Sequence, residues 1–277
     1  MSRFKLPFIS PLAGTTPTNL FRVLKGNKIA PRYYFKVLVT IVFVFFSALF
    51  QWMDRLFLAK KIRNYSFKES PVFIIGHWQS GTTFLHNLLC TAPAFGFVNT
   101  YHSVFPHNLK SSWIFKTFMR IFMPSKRPGD GMRISVNLPQ EDEYALSNIT
   151  QRSFYHFFYF PSNYSKYYKH YVRFELQPEE HIDTWKLDYR KLVIQALLNT
   201  KGRRALLKNP VNTGRMKILI DVFPDADFIF MVRNPIIVYL STKKFFTQLF
   251  PSVNLEKFTS EEIKGMILDL YELLMKD

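Results

Sequence analysis

Residues 71–89 read PVFIIGHWQSGTTFLHNLL, and this stretch decides the fold. The short apolar run Val72–Ile75 predicts a buried parallel strand, and the run stops at Gly76. A polar loop follows, and apolar residues then recur at helical spacing over residues 84–89. A strand, a glycine-bounded loop and a helix start form a cradle for phosphate, because backbone N–H groups and the positive end of the helix dipole point at one spot.

The cradle nearly matches the P-loop of nucleoside-triphosphate enzymes, G-x-x-x-x-G-K-[ST]. Gly76, Gly81 and Thr83 take their places, whereas Thr82 stands where the P-loop has lysine. Because that lysine meets the β- and γ-phosphates, its absence argues against an ATPase or GTPase. Binding of a nucleotide with a single 5′-phosphate group stays open, as does a tight turn that binds no ligand.

A second segment, residues 223–242, reads FPDADFIFMVRNPIIVYLST. Residues 228–232 predict another buried strand, which Arg233-Asn234-Pro235 ends, and Pro235 suits the first turn of a helix. Ser241 follows Arg233 by eight residues, or roughly 12 Å along a helix. A guanidinium fork that is always charged, together with a hydroxyl, suits a phosphate dianion.

In this order the two segments resemble the sulfotransferase superfamily that uses 3′-phosphoadenosine-5′-phosphosulfate (PAPS). The resemblance covers roughly residues 70–250 and is strongest to a subgroup with the motifs G-H-W-x-S-G-T-T, P-Q-E-D-E and L-L-L-K-N-P. These fall at residues 76–83, 139–143 and 205–210, with Ala205 in place of the first leucine of the third motif. The resemblance implies an α/β fold with a P-loop-like, doubly wound parallel sheet flanked by helices, and PAPS as co-substrate.

The resemblance also implies which residues bind the donor. It implies that the loop binds the 5′-phosphosulfate through Gln79, Ser80, Gly81, Thr82 and Thr83. It implies that the second segment binds the 3′-phosphate through Arg233 and Ser241. No metal is expected, because sulfonate transfer does not require one and the sequence has no clustered Cys/His ligand set.

Gln79 departs from the family, whose members usually carry Lys or Arg at this place to contact the bridging oxygen. A glutamine donates a hydrogen bond but carries no charge, and losing one donor of this kind costs on the order of 2.7–4 kcal/mol. Either another cation substitutes or turnover is slow. Lys208 is the first candidate, since it ends a strand-like run where an open α/β sheet has its ligand crevice, and His77 is the second.

The acceptor hydroxyl needs a base, and related sulfotransferases use either a glutamate or a histidine. Three consecutive carboxylates, Glu141-Asp142-Glu143, follow Pro139-Gln140 in this basic chain. We predict Glu141 or Glu143 as the base, with His77 or His107 in reserve. The alternative is that the acidic cluster only caps the start of a helix, where carboxylates are favoured.

Residues 37–53 form a run of seventeen residues without a charged side chain, inside a basic N-terminal segment, residues 1–63. A spanning helix needs about 20 apolar residues, with a range of about 17–25. We therefore predict a hydrophobic helix that is inserted into a membrane or lies on it, with the catalytic domain facing the cytoplasm. A helix buried within the globular domain is the alternative.

The rest of the composition narrows the function class. The net charge of +17 suits an anionic membrane or acidic small molecules, and nucleic acid is not expected because no zinc-finger or RNP-type motif is present. The single cysteine, Cys90, excludes an intrachain disulfide. Aromatic residues 154–160 predict core packing ahead of an acceptor pocket, and the polar loop 124–131 is typical of a substrate-side lid.

Residues 64–277 are predicted to form a sulfotransferase domain that looks truncated, because the helical pattern from near Ser260 runs to the chain end. The expected reaction is sulfonate transfer from PAPS to a hydroxyl of a lipid, glycan or small molecule near a membrane. Gln79 keeps a weak or inactive nucleotide-binding homologue as an alternative. A P-loop-type nucleotide kinase is the other alternative, against which Thr82 counts.

Overall fold

Four parallel strands form the sheet in the part of the chain that the computed structural model describes, residues 9–126 and 131–277. The strands are β1 (Val72–Ile75), β2 (Phe95–Gly96), β3 (Arg204–Lys208) and β4 (Asp227–Phe230), in the order β2-β3-β1-β4. Val72 of β1 pairs with Leu206 of β3 on one side and with Asp227 of β4 on the other.

Eleven α-helices surround this sheet within the described ranges. They are α1 (Pro17–Leu24), α2 (Tyr34–Arg63), α3 (Thr82–Leu89), α4 (Thr100–Val104), α5 (Ser112–Phe122), α6 (Asp142–Ile149), α7 (Tyr164–Tyr171), α8 (Glu179–Thr200), α9 (Met216–Val222), α10 (Pro235–Val253) and α11 (Ser260–Lys276). Short 3-10 helices precede α1 (Pro11–Gly14), α2 (Pro31–Tyr33), α7 (Phe154–Phe158, Pro161–Asn163) and α9 (Pro210–Arg215).

The sheet carries helices on both faces, as the doubly wound prediction requires. Val72 and Ile74 of β1 belong to an apolar cluster with Leu85 of α3. The alternate residues Phe73 and Ile75 belong to the cluster that contains the central part of α8. Because successive strand residues face opposite sides, one fully buried strand requires a helical layer on each side. The α/β fold with a parallel sheet flanked by helices is thereby confirmed.

β4 differs from the sequence prediction. The apolar run at residues 228–232 predicts a buried strand, but β4 lies at the sheet edge and Phe230 is 52% exposed. An apolar run shows the character of a strand but not its place in the sheet. The helix start at Pro235 is confirmed, and Asn234 caps it by accepting from the N–H of Ile236 at 3.0 Å.

The hydrophobic run at residues 37–53 lies inside the longer helix α2. By length and composition, Pro31–Arg63 is the one stretch of the described residues that could cross a membrane, and it is largely exposed. Its inner side joins Val44 to Leu12, Tyr159 and Phe160 in one apolar cluster.

The aromatic run at residues 154–160 is buried throughout, so the predicted core packing is confirmed. Phe154, Tyr155, Phe157 and Phe158 form the centre of the largest apolar cluster together with α10 and α11. The predicted lid loop falls partly on residues 127–130, which lie outside the described residues.

Candidate active site

The loop between β1 and α3 depends on two glycines. Gly76 has a φ of 125° and Gly81 a φ of 101°, both in the left-handed region that side chains rarely adopt. A Cβ atom on Gly76 would lie 2.4 Å from the carbonyl oxygen of Met231, so the neighbouring chain leaves no room for one. The N–H of Gly76 donates to the Thr213 hydroxyl at 2.9 Å. The turn predicted from the sequence is therefore held in one conformation.

Hydroxyl groups line the inner side of this cradle. Ser80 and Thr82 are buried, and the Ser80 Oγ has no hydrogen-bond partner among the described residues. A buried hydroxyl at the start of a helix, beside backbone N–H groups, suits the oxygen of a bound anion. Thr83 accepts from the ammonium of Lys208, with Nζ and Oγ1 3.2 Å apart.

Lys208 brings a buried positive charge to the cradle from the end of β3. Its side chain is 1% exposed, and its Nζ lies 2.5 Å from Oε1 of Glu141, whose side chain is 9% exposed. The Tyr155 hydroxyl donates to the other oxygen of Glu141. Burial and the neighbouring Glu141 charge raise the pKa of Tyr155 well above its usual value, so this hydroxyl stays protonated and donates. Lysine, carboxylate and phenol thus form one connected cluster beside Thr83.

Glu143, the other predicted base, has a different environment. Both of its oxygens accept hydrogen bonds, and its side chain is fully buried; the donors are Ser153 Oγ (2.8 Å), the N–H of Phe154 (2.9 Å), Asn209 Nδ2 (3.0 Å) and the guanidinium of Arg215 (2.5 and 3.0 Å). Burial alone raises the pKa of Glu143, but the Arg215 charge and these hydrogen bonds outweigh it and hold the pKa below its usual value. A carboxylate surrounded in this way holds the structure together and is a poor proton acceptor.

Asp142 lies between the two glutamates and points into the core. It accepts from the Tyr189 hydroxyl at 2.6 Å and is fully buried. Burial raises its pKa from 3.8 to about 7. The three consecutive carboxylates therefore lie in three different environments, and of the three it is Glu141 that contacts the ammonium of Lys208. Asp142 and Glu143 also occupy the first turn of α6, where the sequence alternative placed an acidic helix cap.

The two reserve histidines are separated by the fold. His77 lies in the cradle loop, and its Nδ1 donates to the Trp78 carbonyl at 2.9 Å, because a carbonyl only accepts. Burial lowers the pKa of His77 to about 4, so the ring is neutral at physiological pH. His107 instead contacts the Asn148 carbonyl at the far end of α6 from Glu141. The structure therefore does not bring His107 to the cradle.

The second motif lies against the cradle loop. The Arg233 guanidinium donates to the Gln79 carbonyl at 3.0 Å, and Thr242 donates to the Trp78 carbonyl at 3.4 Å. The distance of roughly 12 Å between Arg233 and Ser241 was predicted for a continuous helix. Arg233 precedes α10, so only Pro235 to Ser241 follow the helical rise. Ser241 is half-buried on the second turn of α10, next to Thr242.

Sequence reasoning missed four residues that hold this site together. Tyr155 appears in the sequence only as one member of an aromatic run, and Asn209 only as a letter of the third motif. Thr213 and Arg215 carry no motif at all, although both contact site residues. No local signal distinguishes Arg215 from the other basic residues of this chain.

A family model described as the Sulfotransferase family matches residues 71–276. The chain belongs to this family. Among curated relatives, the omega-hydroxy-beta-dihydromenaquinone-9 sulfotransferases Stf3 of Mycobacterium bovis and Mycobacterium tuberculosis are each 30% identical to it over 253 residues. These alignments cover 90% of this chain and 64% of each relative, so the chain spans less than two thirds of their length.

Solved sulfotransferase structures share the fold. Sulfotransferase STF1 of Mycobacterium tuberculosis has a TM-score of 0.61 at 15% identity, covering 93% of this chain and 70% of its own. Sulfotransferase STF9 of Mycobacterium avium has a TM-score of 0.65 at 15% identity, covering 92% of this chain and 65% of its own. The cradle, β3 and the Arg233 segment all lie within residues 71–276, which the family model matches.

Proposed function

We propose that this chain transfers a sulfonate group from PAPS to a hydroxyl of a membrane lipid. The observation that carries the proposal is the buried ammonium of Lys208, which contacts Thr83 of the cradle and Glu141 at the same time. It supplies a positive charge beside the loop, which has no lysine of its own. The carboxylate of Glu141 lies 2.5 Å from that charge.

The described residues fit the donor. The cradle offers buried hydroxyls at Ser80 and Thr82 and a glycine turn with no room for a Cβ, and Arg233 lies beside it with an exposed guanidinium. We assign the 5′-phosphosulfate to the residues 79–83 and the 3′-phosphate to Arg233 and Ser241. Family membership supports PAPS as the co-substrate, and the cluster is rich in donors for an anion.

In the proposed reaction, the acceptor oxygen bonds to sulfur while the sulfur–oxygen bond to the phosphate breaks. Glu141 takes the hydroxyl proton, and the electron pair of the broken bond stays on the phosphate. Lys208 faces the oxygen on which that charge develops, and a positioned charge of this kind is often the largest single catalytic contribution. Tyr155 fixes the orientation of the Glu141 carboxylate through its hydrogen bond. Lys208 thus takes the role that Gln79 lacks the charge to fill.

A lipid acceptor is favoured by an apolar cavity of about 230 Å³ next to the catalytic pair. Its walls are almost entirely apolar and include Phe105, Phe118, Met119 and Leu249. Gln140 and Tyr144 also line it. Gln140 accepts from the N–H of Glu141, and the ring of Tyr144 lies 4.7 Å from that of Tyr155. A hydroxyl at the end of a hydrocarbon chain in this cavity would approach Glu141.

The named substrate of the Stf3 relatives is a menaquinone derivative, which is a lipid alcohol, and this supports the same acceptor class here. Glycans and small polar molecules suit the apolar walls less well, since their hydroxyls would lack partners there. A reaction on a lipid hydroxyl belongs at a membrane, and the placement of the catalytic domain on the cytoplasmic side stays a prediction.

Calorimetric titration of the detergent-solubilised chain with 3′-phosphoadenosine-5′-phosphate, without metal, tests the donor site. We expect binding by the parent chain that is lost in Arg233→Ala and retained in the surface control Lys217→Ala. A folded parent chain that binds ATP with magnesium and ignores this nucleotide would instead support the kinase alternative. Tight nucleotide binding without turnover in the presence of any lipid alcohol would support an inactive homologue.

A further inference from the structure

The long helix α2 has its polarity reversed relative to a helix on the surface of a globular protein. Its inner face carries mostly polar residues that are at most 6% exposed: Lys36, Thr40, Ser47, Gln51 and Asp54. Its outer face carries an apolar stripe whose members are between 58% and 70% exposed: Leu38, Val42, Phe45, Leu49, Trp52 and Leu56. Steps of three and four residues place the stripe on one side of the helix, opposite the polar face.

The polar face is bonded to the globular domain along its whole length. At one end, Lys36 Nζ donates to the Ser252 carbonyl at 2.6 Å. In the middle, Gln51 Nε2 donates to the Thr15 carbonyl at 3.0 Å. Near the other end, Asp54 accepts from the N–H of Lys110 at 2.7 Å. From Lys36 to Asp54 the helix rises about 27 Å, so the domain lies alongside α2 and not below one of its ends.

Because of this attachment, α2 cannot cross the bilayer as a single helix without the domain. A spanning α2 would carry the attached polar backbone of Ser252, Thr15 and Lys110 into the hydrocarbon, where lipid offers no hydrogen bonds. A helix in the plane of the membrane meets no such difficulty, because the polar face stays on the protein and only the stripe enters the leaflet.

The charges around the stripe favour an anionic lipid surface. Asp54, the one acidic residue of α2, is buried, whereas Arg55, Lys60, Lys61 and Arg63 near its end are exposed. The adjoining helix α5 has Lys116 and Arg120 and no acidic residue. A second copy of this chain would bring a net charge of +17 against another +17, which opposes association through this face.

The apolar cavity is lined in part by α5, a helix that packs against α2. Phe118 of α5 lines the cavity, and its ring lies 4.4 Å from that of Phe43 on α2. Phe122, one turn further along α5, lines the cavity and is 62% exposed. An exposed apolar side chain of α5 thus borders the cavity, next to the helix that carries the stripe.

We propose that α2 lies in the plane of one membrane leaflet, with the stripe in the lipid, and that the apolar cavity opens toward that leaflet. The chain is then a monotopic membrane protein, bound from one side. This docking stands on the contacts of α2 and does not depend on the proposed reaction.

Vesicle flotation with the full chain tests the docking without any use of turnover. The vesicles contain equal parts of phosphatidylcholine and phosphatidylglycerol. We expect the double variant Phe45→Glu/Leu49→Glu to lower the partition coefficient by about 100-fold or more, since two apolar side chains that enter the leaflet in the parent chain are lost. The matched control Leu176→Glu/Leu268→Glu changes two exposed leucines outside α2 and α5 and should bind as the parent does. Circular dichroism establishes that all three chains are folded.

Labelling then distinguishes a helix in the plane from a spanning one. In a Cys90→Ala background, Lys25→Cys and Lys61→Cys place one thiol on each side of the apolar stripe along the chain. A membrane-impermeant maleimide added outside the vesicles should label both positions. Labelling of only one position would establish a spanning helix and overturn the proposal. Absent flotation of the folded parent, or a dimer that Phe45→Glu/Leu49→Glu dissociates, would overturn it in favour of a protein partner.

Discussion

Replacing Lys208 by methionine separates the structural from the catalytic share of the buried ion pair. The side chains of Lys208 and Glu141 are 1% and 9% exposed and lie 2.5 Å apart. Lys208→Met leaves the Glu141 charge buried without its cation, and breaking a buried pair in this way costs about 3–5 kcal/mol of unfolding free energy. The double variant Lys208→Met/Glu141→Gln removes both charges, and its stability should return close to that of the parent. The amide oxygen of the introduced glutamine can still accept from Tyr155.

Turnover should follow a different course in the same variants. If Lys208 faces the charge that develops on the donor, its loss lowers kcat by about 10²–10³-fold, the usual effect of removing one such donor. Restored stability in the double variant does not restore that donor, so kcat should stay low. Urea unfolding followed by circular dichroism gives the stabilities, and transfer of labelled sulfonate gives kcat, with the exposed Lys217→Met as control. A double variant with parent-like turnover, or Lys208→Met with kcat within a factor of about 3, would refute the catalytic role.

Further predictions address the cradle, the buried acids and the pH dependence. Gly76→Ala should abolish binding of 3′-phosphoadenosine-5′-phosphate, because the added Cβ would clash with the Met231 carbonyl. The control Gly26→Ala is also at positive φ but has open space around it. It should lower the unfolding free energy in urea by only about 1–2 kcal/mol and leave binding intact. Arg215→Met should lower the unfolding free energy by about 3–5 kcal/mol, since Glu143 then stays buried without its cation; a loss below about 1 kcal/mol would contradict the buried pair. Asp142 has its pKa raised from 3.8 to about 7, so between these values the folded chain holds a proton that the unfolded chain releases, and this group lowers stability as pH rises through that window. Urea unfolding at both ends of the window should show that Asp142→Asn removes this decline, and an unchanged pH slope would argue against it.

The cradle was predictable because its signal is local. Gly76 and Gly81 stand at fixed spacing after an apolar run, and the backbone conformation that they permit depends on near neighbours. The same holds for the start of α10 at Pro235. The family resemblance that these local motifs carry implies the fold class, and the structure and the family comparison confirm it.

The division of labour among the three carboxylates was not predictable, because it depends on partners far along the chain. Glu141, Asp142 and Glu143 are adjacent in sequence, yet they meet Lys208, Tyr189 and Arg215 respectively. Nothing local to residues 139–143 distinguishes these environments. The sheet-edge position of β4 has the same origin, since strand order is set by the path of the whole chain.

The position of α2 shows how burial adds to a sequence pattern. Residues 37–53 predict a hydrophobic helix, but hydropathy alone leaves a spanning, a surface and a core helix equivalent. Thr40, Ser47 and Gln51 are inconspicuous in the sequence, and only the structure shows them facing the protein while the apolar side chains face outward.

The proposed reaction is tested by transfer of sulfonate from ³⁵S-labelled PAPS to lipid alcohols in membrane vesicles. The chain is compared with Glu141→Gln and with the stable double variant Lys208→Met/Glu141→Gln. We expect label in the lipid fraction with the parent chain, without added metal, and at least about 100-fold less with either variant. Label that appears only in water-soluble acceptors, or in equal amounts with all three chains, would contradict the proposed reaction.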